Sequence, residues 1–269
     1  MSQPYVFNIH KMGTQLQGEV VLYHMNINND KILMNSLLGH QLEFHHTGII
    51  HCVACGKITK KSFGQGFCYP CFMSSPLNSP CIINPELCEA HLGKGRDILW
   101  EEEHHNKTHF VYLANSGGVK VGVTREDQIP TRWIDQGADS AVVFARTPYR
   151  RLAGEIEIVL KNFISDKTNW RKMLQNVPDS SVDLIAQKEE IAEQLPPALQ
   201  EYYIEDNSIL NLHYPFIQQP VKINSVGFEK KNIIGGRLIG IKGQYLLFEN
   251  NDVVNIRNQQ GYQVSFTIL

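Results

Sequence analysis

HFVYLANSGGVKVGVTREDQIPTRW, residues 109–133, holds two strand patterns, a turn and a helix start in one short run. Phe110 to Ala114 and Val119 to Thr124 are rich in β-branched and aromatic residues, and Asn115-Ser116-Gly117-Gly118 between them tolerates positive φ. The pattern predicts an antiparallel hairpin. Period-two alternation places Tyr112 with Phe110 and Ala114 on one face of the first strand, and Lys120, Gly122 and Thr124 together on one face of the second. Pro130 fits a first helical turn, so Arg132 is expected to project from the next helix near the strand ends, with Gly137 stopping that helix.

Outward from the hairpin, Ser140 to Ala145 reads as a third strand and Arg151 to Phe163 as an amphipathic helix. Leu152, Ile156, Val159, Leu160 and Phe163 fall on one apolar stripe of that helix. Glu155 and Glu157, two residues apart, point to different sides. In this order the residues resemble the GIY-YIG nuclease family, in which a Tyr on the first strand, a Tyr-Ile-Gly or Lys-Ile-Gly on the second, an Arg on the next helix and a Glu on a later one form a phosphodiester-cleaving site. The matching positions are Val111-Tyr112-Leu113, Lys120-Val121-Gly122, Arg132, and Glu157 or Glu155. Lys120 stands where many members carry Tyr.

The resemblance implies metal-assisted hydrolysis. Tyr112 would position or deprotonate the attacking water, Arg132 would steady the phosphate, and Glu157, with Glu155 as fallback, would hold Mg²⁺ or Mn²⁺. Lys120 would add charge stabilisation. LANSGGVKVGVTREDQIPTRWIDQGA, together with DKTNWRKML and the cysteine segment, also resembles a bacterial family defined only as a domain of unknown function.

Six cysteines all lie between Cys52 and Cys88. Cys52, Cys55, Cys68 and Cys71 form a C-x2-C-x12-C-x2-C pattern, in which two tight turns each offer two thiolates to one tetrahedral zinc. Four thiolates leave no position for water, so this zinc is expected to be structural. Phe63, Phe67, Tyr69 and Phe72 supply the apolar cluster around it. A second zinc is drawn from Cys81, Cys88, His91 and His105, a set with irregular spacing, against the alternative of two packed thiols near surface histidines.

The net charge of -2 for 269 residues gives no global pull toward polyanions, so any basic surface must be local. Arg146 to Lys172 is such a segment: Arg146, Arg150, Arg151, Lys161, Lys167, Arg171 and Lys172 would face phosphates and Trp170 would stack on a base. A solvated helix face is the plainer reading of the same charges. The first residues lack the apolar core of a signal peptide, and no apolar run approaches the ~18 to 20 residues of a membrane span. A cytoplasmic protein without membrane contact is expected.

The predicted fold class is α+β, with a β scaffold over 1–50, a zinc-binding segment over 51–108 and a three-stranded GIY-YIG-like core over 109–178. A helical connector over 179–206 leads to a β domain over 207–269, and the strands of both chain ends are expected to join in a small barrel. The predicted function is a metal-dependent nuclease acting on DNA or RNA. The alternative is a non-catalytic zinc-containing module that binds nucleic acid or protein.

Overall fold

The computed structural model describes residues 4–164, 169–176 and 182–269, and Lys167 lies outside them. The chain is mixed α+β and divides into two compact units. One comprises Met1–Met73 with His213–Leu269, the other Ser74–Leu212.

The first unit is built from β1 (Tyr5–Asn8), β2 (Gly13–Gln17), β3 (Val20–Ile27), β4 (Asp30–Leu33), β5 (Gln41–Ile50), β10 (Asn224–Val226), β11 (Ile233–Lys242), β12 (Tyr245–Phe248), β13 (Asp252–Asn255) and β14 (Tyr262–Ile268). In β3 the alternation of the sequence appears directly as burial, with Val21, Tyr23, Met25 and Ile27 inward. Strands β2, β3 and β4 form an antiparallel meander. The larger sheet runs β1-β14-β5-β11-β12-β13-β10. Phe44 of β5 stacks on Phe266 of β14 with ring centroids 4.5 Å apart, so residues more than two hundred positions apart share one core.

Both chain ends therefore contribute to one sheet, but the sheet is open where a barrel was expected. Closure requires the edge strands to pair. Here β1 is held by β14 alone, and the three-residue β10 meets β13 in parallel at the opposite edge.

The second unit is organised by β6 (His109–Asn115) and β7 (Val119–Arg125), the predicted hairpin, in the order β7-β6-β8-β9 with β8 (Ser140–Thr147) and the two-residue β9 (Leu210–Asn211). The core sheet thus has four strands where three were expected, because Leu210–Asn211, read as the start of the C-terminal β region, pairs with β8. Tyr112 lies opposite Gly122 and Ala114 opposite Lys120, which puts Tyr112, Lys120 and Gly122 on one face. Gly122 answers a steric need: a Cβ there would sit 2.5 Å from the Tyr112 hydroxyl, so the ring lies across the space a side chain would fill.

The segment after residue 74 is a chain of single 3-10 turns, Pro76–Asn78, Pro80–Ile82, Pro85–Leu87 and Ala90–Leu92, of which the first three have proline at their first position. Among the helices, α1 is Tyr69–Ser74, at the end of the first unit, α2 is Ile98–His104, and α3 is Thr131–Asp135, with Pro130 just before it as cap and Gly137 (φ 66°) just after. Helix α4 is Arg150–Leu160, α5 Trp170–Leu174, α6 Leu184–Ala192 and α7 Pro197–Gln200.

Ala153, Ile156 and Leu160 of α4 join Val111, Leu113, Val121, Val142 and Phe144 in the core of this unit. Phe163 leaves the predicted stripe because the helix stops at Leu160, and the residue is 53% exposed. Leu160→Ala should accordingly cost about 2–5 kcal/mol in denaturant unfolding, as removal of a fully buried leucine does, whereas Phe163→Ala should stay within about 0.5 kcal/mol of the parent. Equal losses would place the end of the helix elsewhere.

Candidate metal centres and candidate active site

Two cysteine-centred groups stand out, one in each unit. In the first, the ligand atoms of Cys52, Cys55, Cys68 and Cys71 all lie within 4.8 Å of one another, a spread that suits four corners of a zinc tetrahedron. The local chain explains the gathering. The Cys52 amide donates to the Lys57 carbonyl and the Gly56 amide to the Cys52 carbonyl, closing the first turn. The second pair opens α1, where the Phe72 amide donates to the Cys68 carbonyl. Phe63 packs edge-on against Tyr69 and lies beside Phe72, with Phe67 buried between the turns.

Cys52 and Cys71 are shifted in opposite directions. Burial alone would raise Cys52, but the backbone amides of Cys68, Cys55 and Ala54 bring it to about 6. Cys71 is pushed up to about 12, chiefly by hydrogen bonds with Cys68 and Cys55. A dication among the four sulfurs would take the place of thiol protons. The donor set fits zinc, with no ligand position left for water or substrate.

In the second unit, Cys81, Cys88, Glu101 and His105 bring their ligand atoms within the same 4.8 Å of one another, and all four are buried. His91, expected in this set, stacks flat on Tyr149 with ring centroids 4.5 Å apart. Glu101 takes the fourth place. It was legible only as an acid one helical turn before a histidine, since α2 sets Glu101 and His105 on one face, where the imidazole meets the carboxylate.

Tyr112, Lys120, Arg132, Glu155 and Glu157 lie in the same unit. Tyr112 is fully buried, its hydroxyl donating to Gln136 Oε1 at 2.7 Å and its ring meeting Trp133 of α3 edge-on. Burial raises the phenol, while the facing Arg132 guanidinium opposes that rise by its charge and a hydrogen bond, and the charge of Glu157 adds to it. Glu157, 7% exposed, is raised by burial and countered by Lys161, whose ammonium lies 3.2 Å from its carboxylate. Glu155 faces elsewhere, paired with Arg151 at 2.9 Å. Arg132 and Glu157 thus both bear on Tyr112, Lys120 lies buried on the Tyr112 face of the sheet, and Glu155 pairs with Arg151. Gln136, which holds the Tyr112 hydroxyl, escaped the sequence reading because no pattern ties it to the hairpin.

Among the described residues, most cations of the basic segment have a partner. Arg146 faces Glu126 at 3.6 Å, Arg151 faces Glu155, and Lys161 faces Glu157. Arg150 turns inward and donates to the carbonyls of Cys81 and Ile82. Arg171 lies over the Trp170 ring at 4.2 Å, and Lys172 is exposed beside it. No helix among the described residues is long and apolar enough to cross a membrane.

These features define a mixed α+β protein with several sheets and a four-cysteine cluster that can hold structural zinc. The chain belongs to the family described as Protein of unknown function (DUF2797), whose family model matches residues 39–264. Comparisons with curated proteins and with solved structures gave no match.

Protein purified without added metal should carry zinc on Cys52, Cys55, Cys68 and Cys71, read by elemental analysis. Cys68→Ser should destabilise by more than ~4 kcal/mol, the range reserved for losses such as that of a metal. A zinc-free preparation with undiminished stability would contradict this assignment.

Proposed function

We propose that the β6–β8 region is a phosphodiester-cleaving site acting on DNA or RNA, held closed in the present geometry. One observation carries this reading: the charges of Arg132 on the next helix and of Glu157 on the helix after the third strand both bear on Tyr112 of the first strand. The face of Tyr112 also carries Lys120 and Gly122. The order of the elements and the residue types follow the GIY-YIG resemblance, and the strand order β7-β6-β8 keeps Tyr112 on the central strand.

The surroundings constrain the roles. A phenol raised by burial holds its proton at neutral pH, so Tyr112 serves better to orient water or phosphate through its hydroxyl than to deprotonate it. Arg132 supplies a cation where charge on phosphate develops. A divalent ion at Glu157 would polarise a phosphate oxygen, but its carboxylate is already paired with Lys161, so the closed geometry does not fit the ion. No step is assigned to it.

A second reading, a non-catalytic binding module on the same scaffold, is favoured by the complete burial of Tyr112 and by the Lys161–Glu157 pair. One experiment separates the two: labelled single- and double-stranded DNA and RNA are incubated with the protein and Mg²⁺ or Mn²⁺, with binding measured in parallel. Cleavage should require the ion and fall by at least ~10²- to 10³-fold in Arg132→Ala and Glu157→Ala, the usual effect of losing a preorganised charge. Glu155→Ala should retain the parental rate. Salt-sensitive binding without cleavage would select the second reading, and absence of both at ~50 mM salt would overturn the nucleic-acid assignment altogether.

A further inference from the structure

We infer that Cys81, Cys88, Glu101 and His105 form a second zinc site, and that its ion fixes the first turn of α4. The inference rests on the geometry of these residues and not on the nuclease reading. Two thiols, a carboxylate and an imidazole converge from three separate elements: the Pro80–Ile82 turn, the residue closing the Pro85–Leu87 turn, and one face of α2 with the residue just after it. Sγ of Cys81 lies 3.7 Å from Nδ1 of His105. Each of the four is at most 7% exposed.

The backbone is shaped to aim these groups. Asp97 caps α2 by accepting from the Trp100 amide, and one turn later the His105 amide donates to the Glu101 carbonyl. Gly95 leaves room for the Glu101 side chain to fold back, since a Cβ there would sit 2.3 Å from Glu101 Cγ. The Ser79 hydroxyl donates to Glu101 Oε1 at 3.3 Å, a support of the kind that orients metal-ligating carboxylates. A cavity of about 330 Å³ lined by Ser79, Cys81, Arg96 and Glu101 gives an ion a path in from solvent.

Charge balance favours a dication. Buried ionised groups are tolerated when paired or when they coordinate a metal. Two thiolates and a carboxylate around a divalent ion leave one negative charge, and the Arg150 guanidinium, donating to the Cys81 carbonyl at 2.9 and 3.0 Å, brings the compensating positive charge alongside. Mixed sulfur, nitrogen and oxygen ligands suit zinc over magnesium or calcium.

The same arginine links the site to α4. Arg150 is the first residue of that helix; its side chain holds the Cys81 turn and its amide donates to the His105 carbonyl at 3.0 Å. Both anchors belong to ligand residues, so an ion that orders Cys81 and His105 also orders the start of the helix that carries Glu157.

Zinc content and amide exchange test the proposal without any assay of activity. The parent protein should hold two equivalents. Glu101→Ala and Cys88→Ser should each hold one, His91→Ala should hold two, and Cys55→Ser, which breaks the four-cysteine site, should keep one. Amides of Arg150–Leu160 should exchange faster in Glu101→Ala than in His91→Ala. If Cys88→Ser fails to fold, Glu101→Ala against His91→Ala still decides. One equivalent in the parent, unchanged by Glu101→Ala, overturns the site, as does recovery of Cys81 and Cys88 as a disulfide. Loss of zinc in Glu101→Ala without faster exchange in α4 overturns the clamp.

Discussion

Thiolates packed within 4.8 Å of one another, or of a carboxylate, cannot all keep their charge unless a cation neutralises them; the first unit holds a group of four cysteines and the second a group of two cysteines, a glutamate and a histidine. The constraint shapes the surrounding chain. In the first unit, the turns around Cys52 and Cys68 are short segments whose backbone amides face sulfur, in a region with few buried apolar residues beyond Phe67. In the second, the run of 3-10 turns from Pro76 to Leu92 contributes little core of its own: Cys81, Cys88 and Ala90 form a cluster too small to order it. Segments of this kind gain their order from a metal because binding and local folding are one event.

The hairpin depends on a different balance. Its inward face carries Val111, Leu113, Val121 and Val123 against α4, an ordinary apolar interface. Its other face holds Tyr112 and Lys120, which are polar yet buried. Buried polar groups persist when satisfied, and the Tyr112 hydroxyl is satisfied by Gln136. Such a network is equally a preorganised site and a rigid core. The distinction lies in whether the cover that Trp133 and Gln136 form over Tyr112 can yield to a substrate.

Local patterns carried the most information in the sequence. The hairpin was legible because alternation and a four-residue polar turn specify both strands and their register, and the paired C-x2-C spacing specified the first cluster in the same way. Longer relations were not legible. That β9 pairs with β8, and that the terminal strands form an open sheet, depends on edges that no single segment encodes. Phe163 looked like part of the apolar stripe because periodicity does not mark where a helix stops. His91 looked like a ligand because it follows Cys88 closely, whereas Glu101 joins the cysteines only after α2 is placed against the proline turns. The charges between Arg146 and Lys161 read as a basic surface, yet their partners include Glu126, which lies outside the segment, and the carbonyls that claim Arg150.

Zinc K-edge absorption on the purified protein measures the central claim most directly, because sulfur at ~2.3 Å and nitrogen or oxygen at ~2.0 Å form separable shells. Averaged over a four-sulfur site and a site with two sulfurs, one nitrogen and one oxygen, the account predicts three sulfurs and one lighter ligand per zinc. A first shell of sulfur alone, or zinc bound only by nitrogen and oxygen, would contradict it.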